Sequence, residues 1–161
     1  WRVVSFAVYF KSVKDLSELP EGADVLIPND PTNRGRALIL LDKSGIIKLK
    51  DNQKLDSTIE DIAENPKKLK VTALNADQIP TRLGEVGAAV INGNFAMKNN
   101  LNPLTDSIFI EDKDSPYANV ITVLKGNEND ERVQKLVKAL QSEKIKKFIE
   151  EKYQGSVVPA F

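Results

Sequence analysis

The chain has 161 residues, with 23 Lys and Arg balanced by 23 Asp and Glu, 41% hydrophobic residues, and neither cysteine nor histidine. A formal net charge of zero supplies no field to gather nucleic-acid phosphates or anionic lipid, which disfavours both as partners. Without thiol or imidazole there is no cysteine nucleophile, disulfide framework, histidine-based triad or usual zinc ligand set, so no cofactor or metal is expected.

The opening residues Trp1-Arg2-Val3-Val4 lack the pattern of an export signal and read as a cut point. Val3 to Phe10, rich in β-branched and aromatic residues, predicts a strand, and Asp24 to Pro28 predicts a second one covered on both faces. Asp30 followed by Pro31 suits a helix start; Ala37, Leu38, Leu40 and Leu41 keep helical spacing, and Gly45 ends the run. Ile46 to Lys50 predicts a strand, Thr58 to Glu64 a short helix, Leu69 to Leu74 a strand and Asp77 to Leu83 a helical turn. Val86 to Ile91 is a second fully apolar strand; Phe109-Ile110 and Val120 to Leu124 predict two more. The alternation argues for an α/β layer with a largely parallel sheet. Val133, Leu136, Val137 and Leu140 then form an amphipathic helix stripe, and Ile145, Phe148 and Ile149 a second. No apolar run approaches the ~20 residues that span a bilayer.

Three stretches carry candidate chemistry. In the first, Pro28 to Leu38, a buried strand passes into a helix, the position where open α/β sheets bind ligands. Arg34 or Arg36 there can fork onto a small carboxylate, or both can be ordinary exposed helix residues. The second, Val90 to Ala96, offers the amide groups of Asn92 and Asn94 to a zwitterion, or simply to the turn. The third, Glu111 to Asn119, is acidic but lacks the calcium-loop pattern, and Asn119 beside Val120 suits an inward position. No pair of carboxylates stands out for hydrolysis.

Taken in order, Ile27-Pro28-Asn29-Asp30-Pro31-Thr32-Asn33 with Gly35-Arg36-Ala37-Leu38, Ile62-Ala63-Glu64-Asn65-Pro66-Lys67, Ala89-Val90-Ile91-Asn92, Glu111-Asp112 with Asp114-Ser115-Pro116-Tyr117-Ala118-Asn119, and Pro159-Ala160-Phe161 carry a resemblance. From about Leu16 onward the chain resembles the carboxyl-terminal two-thirds of the NlpA/MetQ family of methionine-binding lipoproteins that serve ABC importers. The resemblance implies an α/β, type II periplasmic-binding-protein-like fold of one lobe plus a return segment, with the first lobe largely missing. It divides the chain into a residual hinge strand at 1–10, a ligand-binding lobe at 11–119, and a return strand with carboxyl-terminal helices at 120–161.

The implied function is the non-enzymatic substrate-binding component of an importer for methionine or a related amino acid or short peptide, in truncated form. The implied contacts are Arg36 to the ligand carboxylate and Asn92 and Asn119 to its backbone groups, with Asn29, Asn94 and Tyr117 as supporting candidates. The implied partners are the importer's membrane subunits, at an extracytoplasmic, lipid-anchored location. A homodimer through the orphaned tail helices is a further expectation. The competing reading is a structural or interaction module with a vestigial site.

Overall fold

Alternation along short apolar runs builds the main sheet. The computed structural model describes residues 2–11, 14–111, 117, 120–153 and 157–159, with backbone alone at 2–4 and 158. In chain order the elements are β1 (Arg2–Val4), β2 (Phe6–Tyr9), β3 (Asp24–Pro28), α1 (Pro31–Lys43), β4 (Lys48–Leu49), β5 (Ile62–Glu64), β6 (Lys70–Leu74) and α2 (Ile79–Arg82). They continue with β7 (Ala88–Asn92), α3 (Gly93–Lys98), α4 (Pro103–Asp106), β8 (Ser107–Ile110), α5 (Glu131–Leu140), α6 (Glu143–Tyr153) and β9 (Val157–Pro159).

Five strands form one sheet in the order β6-β3-β7-β2-β8. β3 runs parallel to β6 and β7, but β2 is antiparallel to both β7 and β8, so the sheet is mixed rather than largely parallel. The predicted strand Val3 to Phe10 is two strands: β1 pairs with the returning β9, while β2 lies inside the main sheet with all four residues fully buried. Thr58 to Glu64 is not a helix but a single turn of 3-10 helix at Ile59–Asp61 running into β5, which pairs with β4. Val120 to Leu124 forms no strand; Val120 and Leu124 face solvent, and a strand without a neighbour to bond has nothing to hold it extended.

The period of two along each strand sorts its side chains into two cores. Phe6, Val8, Val25, Ile27, Ala88 and Val90 point to the face covered by α1, through Ala37, Leu38, Leu40 and Leu41. Ala7, Tyr9, Leu26, Ala89 and Ile91 point to the opposite face, where Ile79, Leu83 and Ala96 meet them. The parity that sends Ala88 and Val90 toward α1 also sends Asn92 there.

α1 begins as its sequence demands. The Asp30 side chain accepts from the Asn33 backbone N–H at 3.0 Å, Pro31 needs no N–H in the first turn, and Gly45 beyond the end adopts φ +81°. Gly35 is required for space: a Cβ there would stand 1.9 Å from the backbone oxygen of Leu55, whose loop lies against the helix. α5 differs from the other long helices in burying no residue, and Leu136 stays half-exposed.

Gly35→Ala is expected to destabilise the fold by about 1–3 kcal/mol, since the Leu55 loop must move off the helix. Denaturant unfolding checks this; an unchanged midpoint would contradict the close approach.

Candidate functional site

Four chain segments meet at one end of the main sheet. β3 and β7 end there, at Pro28 and Asn92, and α1 and α3 start immediately beyond them. The antiparallel β2 starts there, Phe6 standing opposite Asn92, and β8 ends there. Two backbone bonds close the corner: the Gly93 N–H donates to the Ser5 carbonyl at 2.7 Å, and the Glu111 N–H to the Phe6 carbonyl at 2.8 Å. In open α/β sheets this is the edge where ligands bind.

Arg36 projects into this corner from the second turn of α1. Its Nε donates to both carboxylate oxygens of Glu111, at 2.9 and 3.1 Å, and Nη2 bonds Oε2 as well. Both side chains are buried, at 10% and 7% exposure. The guanidinium carbon lies 4.6 Å from the centroid of the Phe6 ring and 5.0 Å from that of Tyr117, a cation held between two aromatic faces. Arg34, two residues away and so on the far side of the helix, donates from Nε to the Ser57 carbonyl at 3.4 Å.

One turn before Arg36, Asn33 reaches the same corner. Its Oδ1 accepts from Asn92 Nδ2 at 3.0 Å, joining α1 to the end of β7. Asn92 thereby uses one of its two amide N–H donors, while its Oδ1 is buried with no hydrogen-bond partner. A buried acceptor left open costs about 1–3 kcal/mol and invites an N–H. The corner thus pairs a guanidinium, the natural partner of a carboxylate, with an acceptor suited to an ammonium.

The remaining candidates separate. Asn94 is exposed on α3, and Asn29 bonds Asn75 at 2.8 Å on the surface. Asn119 lies outside the described residues, as do Asp112 to Pro116 of the acidic cluster. Burial pushes the Tyr117 phenol up from its ordinary range, partly opposed by the Arg36 charge. On the other face of the sheet, burial and the charge of Asp106 push the Tyr9 phenol up further, and its hydroxyl is buried without a partner. No group of three metal-binding side chains occurs among the described residues. No helix among them is long and apolar enough to cross a membrane.

Sequence reasoning gave no role to Glu111, Phe6 or Asn33. Asn33 was reachable from its i, i+3 spacing to Arg36 on one helix face. The other two meet Arg36 only through strand pairing, which spacing does not reveal.

A mixed α/β lobe that gathers a buried arginine and an open amide at the carboxyl ends of its parallel strands has the organisation of a small-molecule binding lobe. Comparison with known proteins is more specific: residues 2–161 match the family model described as NlpA lipoprotein, and the chain belongs to that family. It is 45% identical over 156 residues to a probable D-methionine-binding lipoprotein MetQ of Haemophilus influenzae, covering 97% of this chain and 57% of that protein. It is 44% identical over 158 residues to the D-methionine-binding lipoprotein MetQ of Escherichia coli, covering 97% and 58%. The chain therefore spans rather more than half the length of these curated relatives. A nutrient binding protein from Burkholderia cenocepacia, solved bound to methionine, superimposes with a TM-score of 0.86 at 47% identity, over 99% of this chain and 68% of that one. The expected fold, one part of a periplasmic binding protein, is in agreement with this match.

Removing one partner of a buried ion pair strands the other charge. Arg36→Met is expected to destabilise by about 3–5 kcal/mol, and the double change Arg36→Met with Glu111→Leu to recover most of that loss. Denaturant unfolding of the wild type, both single variants and the double variant reads the coupling. Additive losses would contradict a buried pair.

Proposed function

We propose that this chain is the ligand-gripping part of a substrate-binding protein of an ABC importer, and that its ligand is methionine or a closely related amino acid or short peptide. Arg36 takes the carboxylate and the open Oδ1 of Asn92 takes the ammonium; Asn119 is proposed as a third contact. The protein is not an enzyme on this reading: it delivers its ligand to the membrane subunits at the outer side of the cytoplasmic membrane, held there by lipid. The observation that carries the proposal is that the buried Arg36 guanidinium and the unpartnered Asn92 Oδ1 flank the same residue at the carboxyl ends of β3 and β7, Arg36 lying over the Phe6 ring and Asn92 standing opposite Phe6 in the sheet. The names of the relatives support methionine as the ligand class. Binding shifts the population of lobe arrangements toward a closed form.

A second reading keeps the lobe but makes the site vestigial, a structural or interaction module. What favours it is Glu111, which already supplies Arg36 with an acid.

Calorimetry with L- and D-methionine on the complete natural protein separates the two. Arg36→Lys keeps the charge opposite Glu111 and loses the planar fork, so binding is expected to weaken at least about tenfold with the fold intact. Heat of binding that is absent in the wild type, or unchanged in the variant, favours the module. The 161-residue chain by itself is expected to bind far more weakly, because one polar corner without apolar enclosure leaves little after association costs.

The exposed stripe of α5, with Leu136, Leu140 and, on α6, Phe148, is proposed as a face that a second copy covers when the chain is isolated. Light scattering is expected to show a concentration-dependent dimer; a monomer throughout would remove that idea.

A further inference from the structure

We infer that Asp30 and Asn33 are positioning residues: a one-way chain of hydrogen bonds, from Asn92 through Asn33 to Asp30, fixes which end of the Asn92 amide is left open; this rests on Asn92 Oδ1 being the ammonium's partner. The two ends of an amide have nearly the same shape and opposite hydrogen-bonding character. Only the neighbours decide which of them a site presents.

The chain is anchored at Asp30, whose carboxylate accepts and does not donate. Asn33 Nδ2 donates to both of its oxygens, at 3.0 and 3.1 Å, which turns Asn33 Oδ1 the other way. That oxygen accepts from Asn92 Nδ2 at 3.0 Å, and Asn92 Oδ1 is then the atom without a partner. Reversing Asn92 alone would set two amide oxygens 3.0 Å apart with no proton between them. Reversing Asn33 as well would set its oxygen against the Asp30 carboxylate. Each flip exchanges an attraction for a repulsion in a partly buried place, so the polarity holds along the whole chain.

Helix capping does not account for this arrangement. The α1 cap needs only the bond from the Asn33 backbone N–H to Asp30 Oδ1, and the Asn33 side chain is no part of it. Asn92 itself precedes α3 in the extended conformation of a cap residue, with φ −66° and ψ 138°, yet its side chain makes no capping bond. An asparagine in that position ordinarily gives its oxygen to the first turn of its own helix. Held by Asn33 instead, Asn92 keeps that oxygen unspent, on the residue opposite the Phe6 whose ring lies under Arg36.

The test is calorimetry on the complete natural protein with two probes: methionine, and 2-oxo-4-(methylthio)butanoate, which replaces the donating ammonium with an accepting carbonyl. The wild type is expected to prefer methionine by about a hundredfold or more. Asp30→Asn still caps α1 through its oxygen, and its amide N–H groups then face Asn33 Nδ2, which favours the reversed chain. Its preference is expected to shrink at least about tenfold, by weaker methionine binding and tighter keto-acid binding together. Asn33→Leu keeps the Asp30 charge and the cap but releases Asn92 to cap α3, so its preference is expected to shrink through weaker methionine binding alone. The exchange of Asp30→Asn with Asn33→Asp puts an acceptor-only carboxylate back beside Asn92 and is expected to restore most of the preference. Circular dichroism checks the fold of each variant. Equal weakening of both probes in Asp30→Asn makes Asp30 a helix cap and no more, and overturns the inference. A wild-type preference in Asn33→Leu makes Asp30 a distant charge, and overturns it too, as does an exchange variant no better than Asp30→Asn. If the wild type binds neither probe, or both within about tenfold, the ammonium contact at Asn92 itself falls, and this inference with it.

Discussion

A positive charge taken out of water must be answered nearby, and among the described residues the carboxylate that answers Arg36 is Glu111. That requirement links parts of the sequence 75 residues apart and ties α1 to the segment leaving β8. Phe6 underlies the pair: its ring supports the guanidinium, its carbonyl holds the Glu111 backbone, and its strand partner is Asn92. A change at any of these residues is felt by the others, since each fixes the orientation of a neighbour with few alternatives.

The topology explains why these groups converge. Parallel strands β3 and β7 deliver their carboxyl ends, and the helix starts beyond them, to one edge of the sheet. The antiparallel β2 brings its first residue to that same edge, and β8 its last. A purely parallel sheet would have sent Phe6 to the opposite end. Gly35 contributes in a different way. By letting the Leu55 backbone press against α1, it fixes the helix on the face away from the ion pair, with Arg34 helping from the Ser57 carbonyl.

Much of the lobe was legible because its signals are local. The cap at Asp30 and Pro31, the stop at Gly45 and the apolar runs of β3 and β7 each depend on neighbours in sequence. Arg36 and Asn92 were legible as candidates for the same reason, one lying in the helix that follows a buried strand and the other at the end of one. The mixed character of the sheet was not, because strand direction depends on which strands pair, and β2 carries no mark of its orientation. Val120 to Leu124 has strand-like composition but no neighbour to bond, so composition alone misled. Glu111 was hidden inside an acidic run whose other members look like surface charges. Only its placement one residue past β8, beside the Phe6 carbonyl, distinguishes it.

The family resemblance and the physical reading meet at one guanidinium, and a crystal structure of the complete natural protein grown with methionine addresses it most directly. The account predicts the ligand carboxylate within hydrogen-bond distance of Arg36, with Glu111 still on its Nε edge and the ligand nitrogen on Asn92 Oδ1. Methionine seated elsewhere, with its carboxylate out of reach of Arg36, would contradict it.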